Sequence, residues 1–301
     1  MRRLAIVLTC CLFTLALGLV GCGGSSSGSA SNAGASNSSA DVSSSSDAVE
    51  QSQSSEPASS SATAPQDPDA EFLPALAAGL EARWKYSDQI EGQELTVEKR
   101  RQLAQSELDH IAAFKGAAFE DAELGKLAEH YIAAVEDSQA CLPLFDTDYI
   151  NFAKRWGDSY VERSLVLKAL VDKYGFKVSD AYKDSLDGVV EDAKEAEAEE
   201  AVPADIRKAA KEDIPAALAS AFQKADDGVY RATVVNPNRG SFDYYNFTVC
   251  LLDAKGGLVE QFPLGIEGWG SGAEATFEFA PTKEFASIGV LHGDWYATWQ
   301  E

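Results

Sequence analysis

Phe242-Asp243-Tyr244-Tyr245-Asn246-Phe247-Thr248-Val249-Cys250-Leu251-Leu252, followed by Asp253-Ala254-Lys255-Gly256-Gly257, decides how the last third of the chain is read. Aromatic and β-branched residues dominate the first segment, and the second is turn chemistry. The pair predicts a long strand that reverses at the glycines, with Leu258 to Phe262 as the returning strand. The same pattern extends on both sides. Val229 to Val235 reads as a strand and Asn236-Pro237-Asn238-Arg239-Gly240 as a turn. Gly270-Ser271-Gly272 turns again. Ala275, Phe277 and Phe279 then alternate inward against Thr276 and Glu278, and Phe285 to Trp295 is the last strand region. Several short strands with regular turns argue a small antiparallel β-sandwich.

Upstream the periodicity changes. Ala204 to Lys224 is alanine-rich and reads as a helix, bent or restarted at Asp213-Ile214-Pro215. Between residues 67 and 202 the spacing is helical throughout. Asp67-Pro68-Asp69 opens a first helix with Phe72, Leu73, Leu76, Leu80 and Trp84 on one face. Thr96 caps a second, with Leu103, Glu107, Ile111 and Phe114. Asp121 caps a third, with Leu124, Leu127, Tyr131, Ile132 and Val135. A fourth begins near Asp146 and runs to Tyr174, where Gly175 stops it. Ser179 caps a fifth, which runs out into the acidic stretch Glu191 to Glu200, read as a solvated helix end. The expected class is α+β multidomain: an N-terminal all-α helical bundle (67–202) followed by a helix and a small antiparallel β-sandwich (203–301).

The N-terminal residues say where the protein resides. Met1-Arg2-Arg3 precedes a 17-residue apolar run, Leu4 to Val20, at the short limit for a membrane span and suited to a secretory signal. Leu19-Val20-Gly21-Cys22 resembles the bacterial lipobox, which implies a signal peptide over 1–21 and diacylglyceryl and palmitate chains on Cys22. Two or more acyl chains anchor stably. Residues 23–64 hold 18 serines and no aromatic residue, leucine, isoleucine, lysine or arginine. That composition cannot offset the entropy of ordering, so 22–66 is expected to be a solvated stalk. The expected localisation is extracytoplasmic, tethered by lipid to the bacterial cell membrane.

The whole chain has 301 residues and a formal net charge of -23. Such acidity argues against nucleic acid as a partner, because phosphate binding needs clustered Lys and Arg. Cys10 and Cys11 leave with the signal, so Cys141 and Cys250 remain and read as small buried residues. No cofactor or metal is expected. Asp146-Thr147-Asp148 opens like a calcium loop but has Asn151 where glycine is required. Gly24-Ser25-Ser26-Ser27-Gly28 matches the nucleophile-elbow pattern without the strand and helix it needs. His292 beside Asp294 reads as a satisfied surface histidine.

Ala232-Thr233-Val234-Val235-Asn236, then Phe247-Thr248-Val249-Cys250-Leu251-Leu252-Asp253 with Gly256, then Gly270-Ser271-Gly272 before Phe277, resemble the FxLYD family. The resemblance covers residues 228 to 292 and implies an immunoglobulin-like sandwich of the kind carried by bacterial surface lipoproteins. It brings no catalytic residues. Phe247 stands six residues before Asp253 where the motif places four, so either the strand is displaced by a pair or Val249 takes the Phe position. The helical part resembles, more loosely, an uncharacterised region that precedes such domains in Gram-positive lipoproteins.

Two sets of residues are candidates for function. Glu107 and Arg163 interrupt apolar stripes and Arg83 borders one. They read as a buried polar network fixing helix register, or as a pocket in which Arg83 and Arg163 capture an anion. Trp269, Trp295 and Trp299, with Tyr296, are candidates for an exposed aromatic ledge that holds a glycan or peptide, core packing being the other fate of such residues. The sequence thus points to a non-enzymatic binding module with an envelope protein or glycan as partner. An envelope enzyme or accessory with its site between the modules, and a structural spacer, are the alternatives.

Overall fold

The structure, a computed structural model, describes residues 65–299. The apolar run, Cys22, the serine-rich stretch and the Gly24–Gly28 match lie outside the described residues. An all-helical region is followed by a two-sheet β domain.

The helices form where their caps place them. Helix α1, Pro68–Gln89, starts at Asp67, whose carboxylate accepts from the Ala70 N–H at 3.1 Å. Helix α2, Val97–Ile111, starts at Thr96, whose hydroxyl accepts from the Lys99 N–H. Helix α3, Ala122–Ala140, starts at Asp121, which accepts from the N–H groups of Glu123 and Leu124 at 2.9 and 3.1 Å. Helix α4, Tyr149–Tyr174, begins later than the sequence suggests, because Asp148 rather than Asp146 is its cap. Gly175 ends it with φ 64°. The Ser179 side chain makes no capping bond. A short 3-10 turn, Asp180–Tyr182, precedes helix α5, Lys183–Glu200, and the Ser179 N–H donates instead to Glu81 at 2.7 Å. The core between these helices is Phe72, Leu76, Leu108, Ile111, Ala128, Tyr131, Val135, Leu167 and Leu170, all buried.

The helix expected over Ala204 to Lys224 divides into α6 (Ala204–Lys208), a π-helical turn (Ala209–Asp213) and α7 (Ile214–Ala221). The wider π turn absorbs Pro215, which has no N–H to give. Gln223 and Lys224 leave the helix and pair as strand β1 with β2, Tyr230–Val235. Then follow β3 (Ser241–Leu252), β4 (Leu258–Trp269), β5 (Glu274–Phe279) and β6 (Ser287–Thr298). Strand β4 runs to Trp269 rather than stopping at Phe262. Pro263 does not end it because β4 is an edge strand, where a missing N–H costs no ladder bond. One sheet has the order β1-β2-β5 and the other β4-β3-β6, all pairs antiparallel.

The two sheets share one apolar core. Phe247 meets Phe277 edge-on at 4.8 Å, and Phe262 stacks on Phe279 at 4.9 Å. Ile206, Ala210, Ile214 and Leu218 of the α6–α7 segment complete that core. Two side chains organise the turns. The Asn236 amide lies within 3.1 Å of the carbonyls of Gly240, Trp269 and Gly270, joining the β2–β3 and β4–β5 turns. Asp253 accepts from the N–H groups of Lys255 and Gly257 and closes the β3–β4 turn.

A third apolar cluster fuses the helical region to the β domain. Cys141, Leu142, Tyr149, Phe152 and Trp156 pack with Cys250 and Leu252 of β3. The fit is close at the backbone. The Tyr149 N–H donates to the Gly256 carbonyl at 3.0 Å, and Gln261 donates to the Tyr149 hydroxyl at 2.7 Å. Gly256 has φ 92°, and a Cβ there would run into the carbonyl oxygen of Thr147. A Cβ on Gly257 would lie 2.9 Å from the Asp146 oxygen. Asp146 and Thr147, which open like a calcium loop, therefore serve as the floor of this seam.

Candidate functional site

Glu107 is fully buried on α2, and both arginines reach it. Arg83 Nη1 lies 2.7 Å and Arg163 Nη1 2.6 Å from Glu107 Oε1. The Tyr131 hydroxyl donates to Glu107 Oε2. Arg163 Nε also donates to the Ser159 carbonyl, one turn back on α4. A glycine makes the approach possible: a Cβ on Gly79 would sit 3.2 Å from the Glu107 carbonyl oxygen, so α1 comes close to α2 and Arg83, one turn on, meets the carboxylate.

Burial alone would push the Glu107 carboxyl up. The Arg163 charge, then that of Arg83, and the hydrogen bonds of Tyr131 and Arg83 overcome it and hold the group below the ordinary carboxylate range. Desolvation and the Glu107 charge push the Tyr131 phenol well above its usual value. Glu107 is therefore an anion and Tyr131 a neutral donor. Both guanidiniums are committed to the carboxylate. The geometry favours the ion network over the anion pocket. Two clefts of about 260 and 450 Å³ lie elsewhere, at Glu200–Glu212 and around Lys224, Tyr230 and Lys283.

The tryptophans are not a ledge. Trp269 is 1% exposed in the β-domain core, its indole N–H donating to the Ala273 carbonyl at 2.9 Å. Trp295 and Trp299 are half-buried against the same core. The alternation of β6 and the contacts of Phe242 with both Trp269 and Trp295 turn these rings inward. Among the described residues the exposed aromatics are Tyr244 and Tyr296, at 40% and 57%, stacked at 6.5 Å between ring centres.

His292 is not a free surface residue. It is half-buried where β6 meets α4 and the π turn. Burial, and then the Lys211 charge, push its pKa below the usual value, so the ring is neutral at neutral pH. Nearby, partial desolvation raises Asp158, Glu195 and Asp294. Asp192 adds to the last two. Asp192 itself accepts from the Tyr160 hydroxyl.

Cys141 and Cys250 are free and buried, with burial pushing their thiols up to about 11 and about 12. Among the described residues no group of three or more His, Cys, Asp or Glu is placed to hold a metal ion, and no helix is long and apolar enough to cross a membrane. Sequence reading missed Tyr131, counted as an ordinary stripe residue, and Arg100, whose guanidinium lies 5.3 Å from the rings of both Phe152 and Trp156. The signal for Arg100 is that charge four residues after the Thr96 cap, on the buried side of α2. Comparison with family models, curated proteins and solved structures finds no match to this chain.

Proposed function

We propose that the protein is a lipid-anchored, extracytoplasmic binding module of the bacterial envelope. Acyl chains on Cys22 hold it, a serine-rich stalk over 22–66 lifts it, and a helical bundle (67–202) fused to a closed FxLYD-like β-sandwich (203–301) forms the binding body. The observation that carries the anchor is the order of basic start, apolar run Leu4–Val20 and Gly21-Cys22. Support for the sandwich comes from Asn236 and Asp253, residues of the resembling motif, whose side chains organise the turns.

A binding rather than catalytic role is favoured by how the interior polar groups are used. Glu107 serves two arginines, and the Tyr245 hydroxyl donates to the Ala210 carbonyl at 2.7 Å. The glycine-fitted seam favours, as the second reading, a rigid spacer.

Replacing Cys22 by Ser tests the anchor: fatty-acid labelling is lost and the protein moves from the membrane to the soluble fraction. A mutant that stays membrane-bound overturns it. For the binding role, the full chain is used as bait in intact envelope, with mass spectrometry of captured proteins and glycans. Reproducible capture supports the module, and a blank supports the spacer.

A further inference from the structure

The outer face of the sheet β4-β3-β6 is only half covered. Thr248, Cys250 and Leu252 on β3 are buried, with Cys250 and Leu252 packed beneath the start of α4. Tyr244 and Asn246, on the same face of the same strand, are exposed. The register places Glu267 of β4 and Tyr296 of β6 directly opposite Tyr244 on either side. Cross-strand partners share a face, so Glu267, Tyr244 and Tyr296 form a row about 10 Å wide. Asp294 of β6 and Glu195 of α5 both act electrostatically on the Tyr244 phenol from the other side. Among the described residues, none of Glu195, Glu267 and Asp294 forms an ion pair, although most neighbouring charges do.

We propose that this open half-face, the stacked Tyr244 and Tyr296 between Glu267 and the Asp294–Glu195 carboxylates, docks an extended Lys/Arg-rich segment of a partner protein. The proposal deepens the binding reading above by naming the partner's chemistry. Charge complementarity fixes the occupant. The ring faces attract cations, and arginine stacks on them best, while carboxylates on both flanks take the guanidinium hydrogen bonds. The face is open rather than enclosed, and its acidic groups flank the rings on two sides. An extended segment, with same-side residues about 6.7 Å apart, meets both flanks where a small cation meets one. The chain cannot supply the segment itself, since residues 4–82 contain no Lys or Arg. A second copy, at net charge -23, is repelled.

The test is fluorescence anisotropy of a labelled peptide of alternating arginine and glycine against the full chain in detergent. The expected result is binding that weakens tenfold or more in Tyr244→Ala/Tyr296→Ala, and likewise in Glu195→Gln/Asp294→Asn. Tyr244→Phe/Tyr296→Phe keeps the rings and retains affinity. Asp88→Asn/Glu91→Gln, which removes the same charge from exposed positions at the C-terminal end of α1, also retains it. Equal loss in that charge-matched control, or undiminished binding by the double alanine variant, overturns the proposal in favour of simple net-charge attraction. No binding by the wild type also overturns it. If envelope capture then still succeeds, and is unchanged by the double alanine variant, the binding reading stands and only this patch falls.

Discussion

Replacing Glu107 by Gln removes one charge from a cluster that holds two cations and one anion. Two guanidiniums then face each other across a neutral amide. Breaking a buried ion pair from one side costs about 3–5 kcal/mol, because the remaining charge is stranded. Arg163, 6% exposed, is more deeply buried than Arg83, which at 12% borders solvent and can turn outward. Arg163 therefore dominates the loss. Tyr131 keeps an acceptor but a neutral one, adding about 1 kcal/mol. The sum, roughly 4–6 kcal/mol, is a large part of the ~5–15 kcal/mol that holds a domain together. At about 2–4 °C per kcal/mol for a body of this size, Tm falls by roughly 8–24 °C. Arg163→Met is milder, since it leaves a neutral pair of Glu107 and Arg83. The decisive measurement is the double variant Glu107→Gln/Arg163→Met in urea unfolding followed by far-UV circular dichroism. Removing the stranded cation should restore part of the stability lost in Glu107→Gln. If the two losses simply add, the residues do not act as one ion cluster and the reasoning fails.

Two further predictions concern the seam and its acidic border. Gly256→Ala forces a side chain into positive φ, at about 1–2 kcal/mol, and against the Thr147 carbonyl, at about 1–3 kcal/mol more. The expected loss is therefore roughly 2–5 kcal/mol, with faster amide exchange at Tyr149, whose bond to Gly256 is broken; unchanged exchange there would show that the seam is not held by this contact. Asp294→Asn should stabilise the protein at pH 7. A carboxyl whose folded pKa is raised above 3.8 resists ionisation in the native state, so its destabilising effect is present at neutral pH and vanishes as pH falls through the folded and then the unfolded value. Melting curves from pH 4 to 7 should show the variant's advantage growing with pH, and a variant less stable at pH 7 contradicts the reading.

Local features were legible in the sequence and long-range ones were not. Caps at Asp67, Thr96 and Asp121 act within three residues, so composition alone places them. Gly175 is equally local. Glu107 and Arg163 stood out because a charge within an apolar stripe needs a partner. Which partner it finds depends on helix packing, and Tyr131 looked apolar because a phenol packs like one until its hydroxyl meets an acceptor. The extent of β4 was hidden because Pro263 reads as a breaker unless the strand lies at a sheet edge, and edge position is a property of the fold. The choice between core and ledge for the tryptophans stayed open for the same reason. Their number says they must be placed somewhere, but only strand register says that Trp269 points inward and Tyr296 outward.

The seam and the open half-face follow from one arrangement. The start of helix α4 packs on β3, with Gly289 of β6 admitting Ile150, while Gly256 and Gly257 of the β3–β4 turn fit against Thr147 and Asp146 just before the helix. Those contacts lie at the end of the sheet where Cys250 and Leu252 sit. Covering the rest of the face would require apolar residues at positions 244, 246 and 296, and a helix surface to meet them. The chain instead has Tyr244, Asn246 and Tyr296 there, with α5 bringing Asp192 and Glu195 nearby. Tyrosine tolerates water at its hydroxyl while offering a ring face, so this half is built to stay soluble without a partner. Partial desolvation, and then the Asp192 charge, raise the pKa of Glu195 and Asp294, and a basic segment laid between them would favour their charged forms. A scaffold held rigid at one end of a sheet and left charged at the other presents a fixed surface, and fixed surfaces lose less entropy on binding.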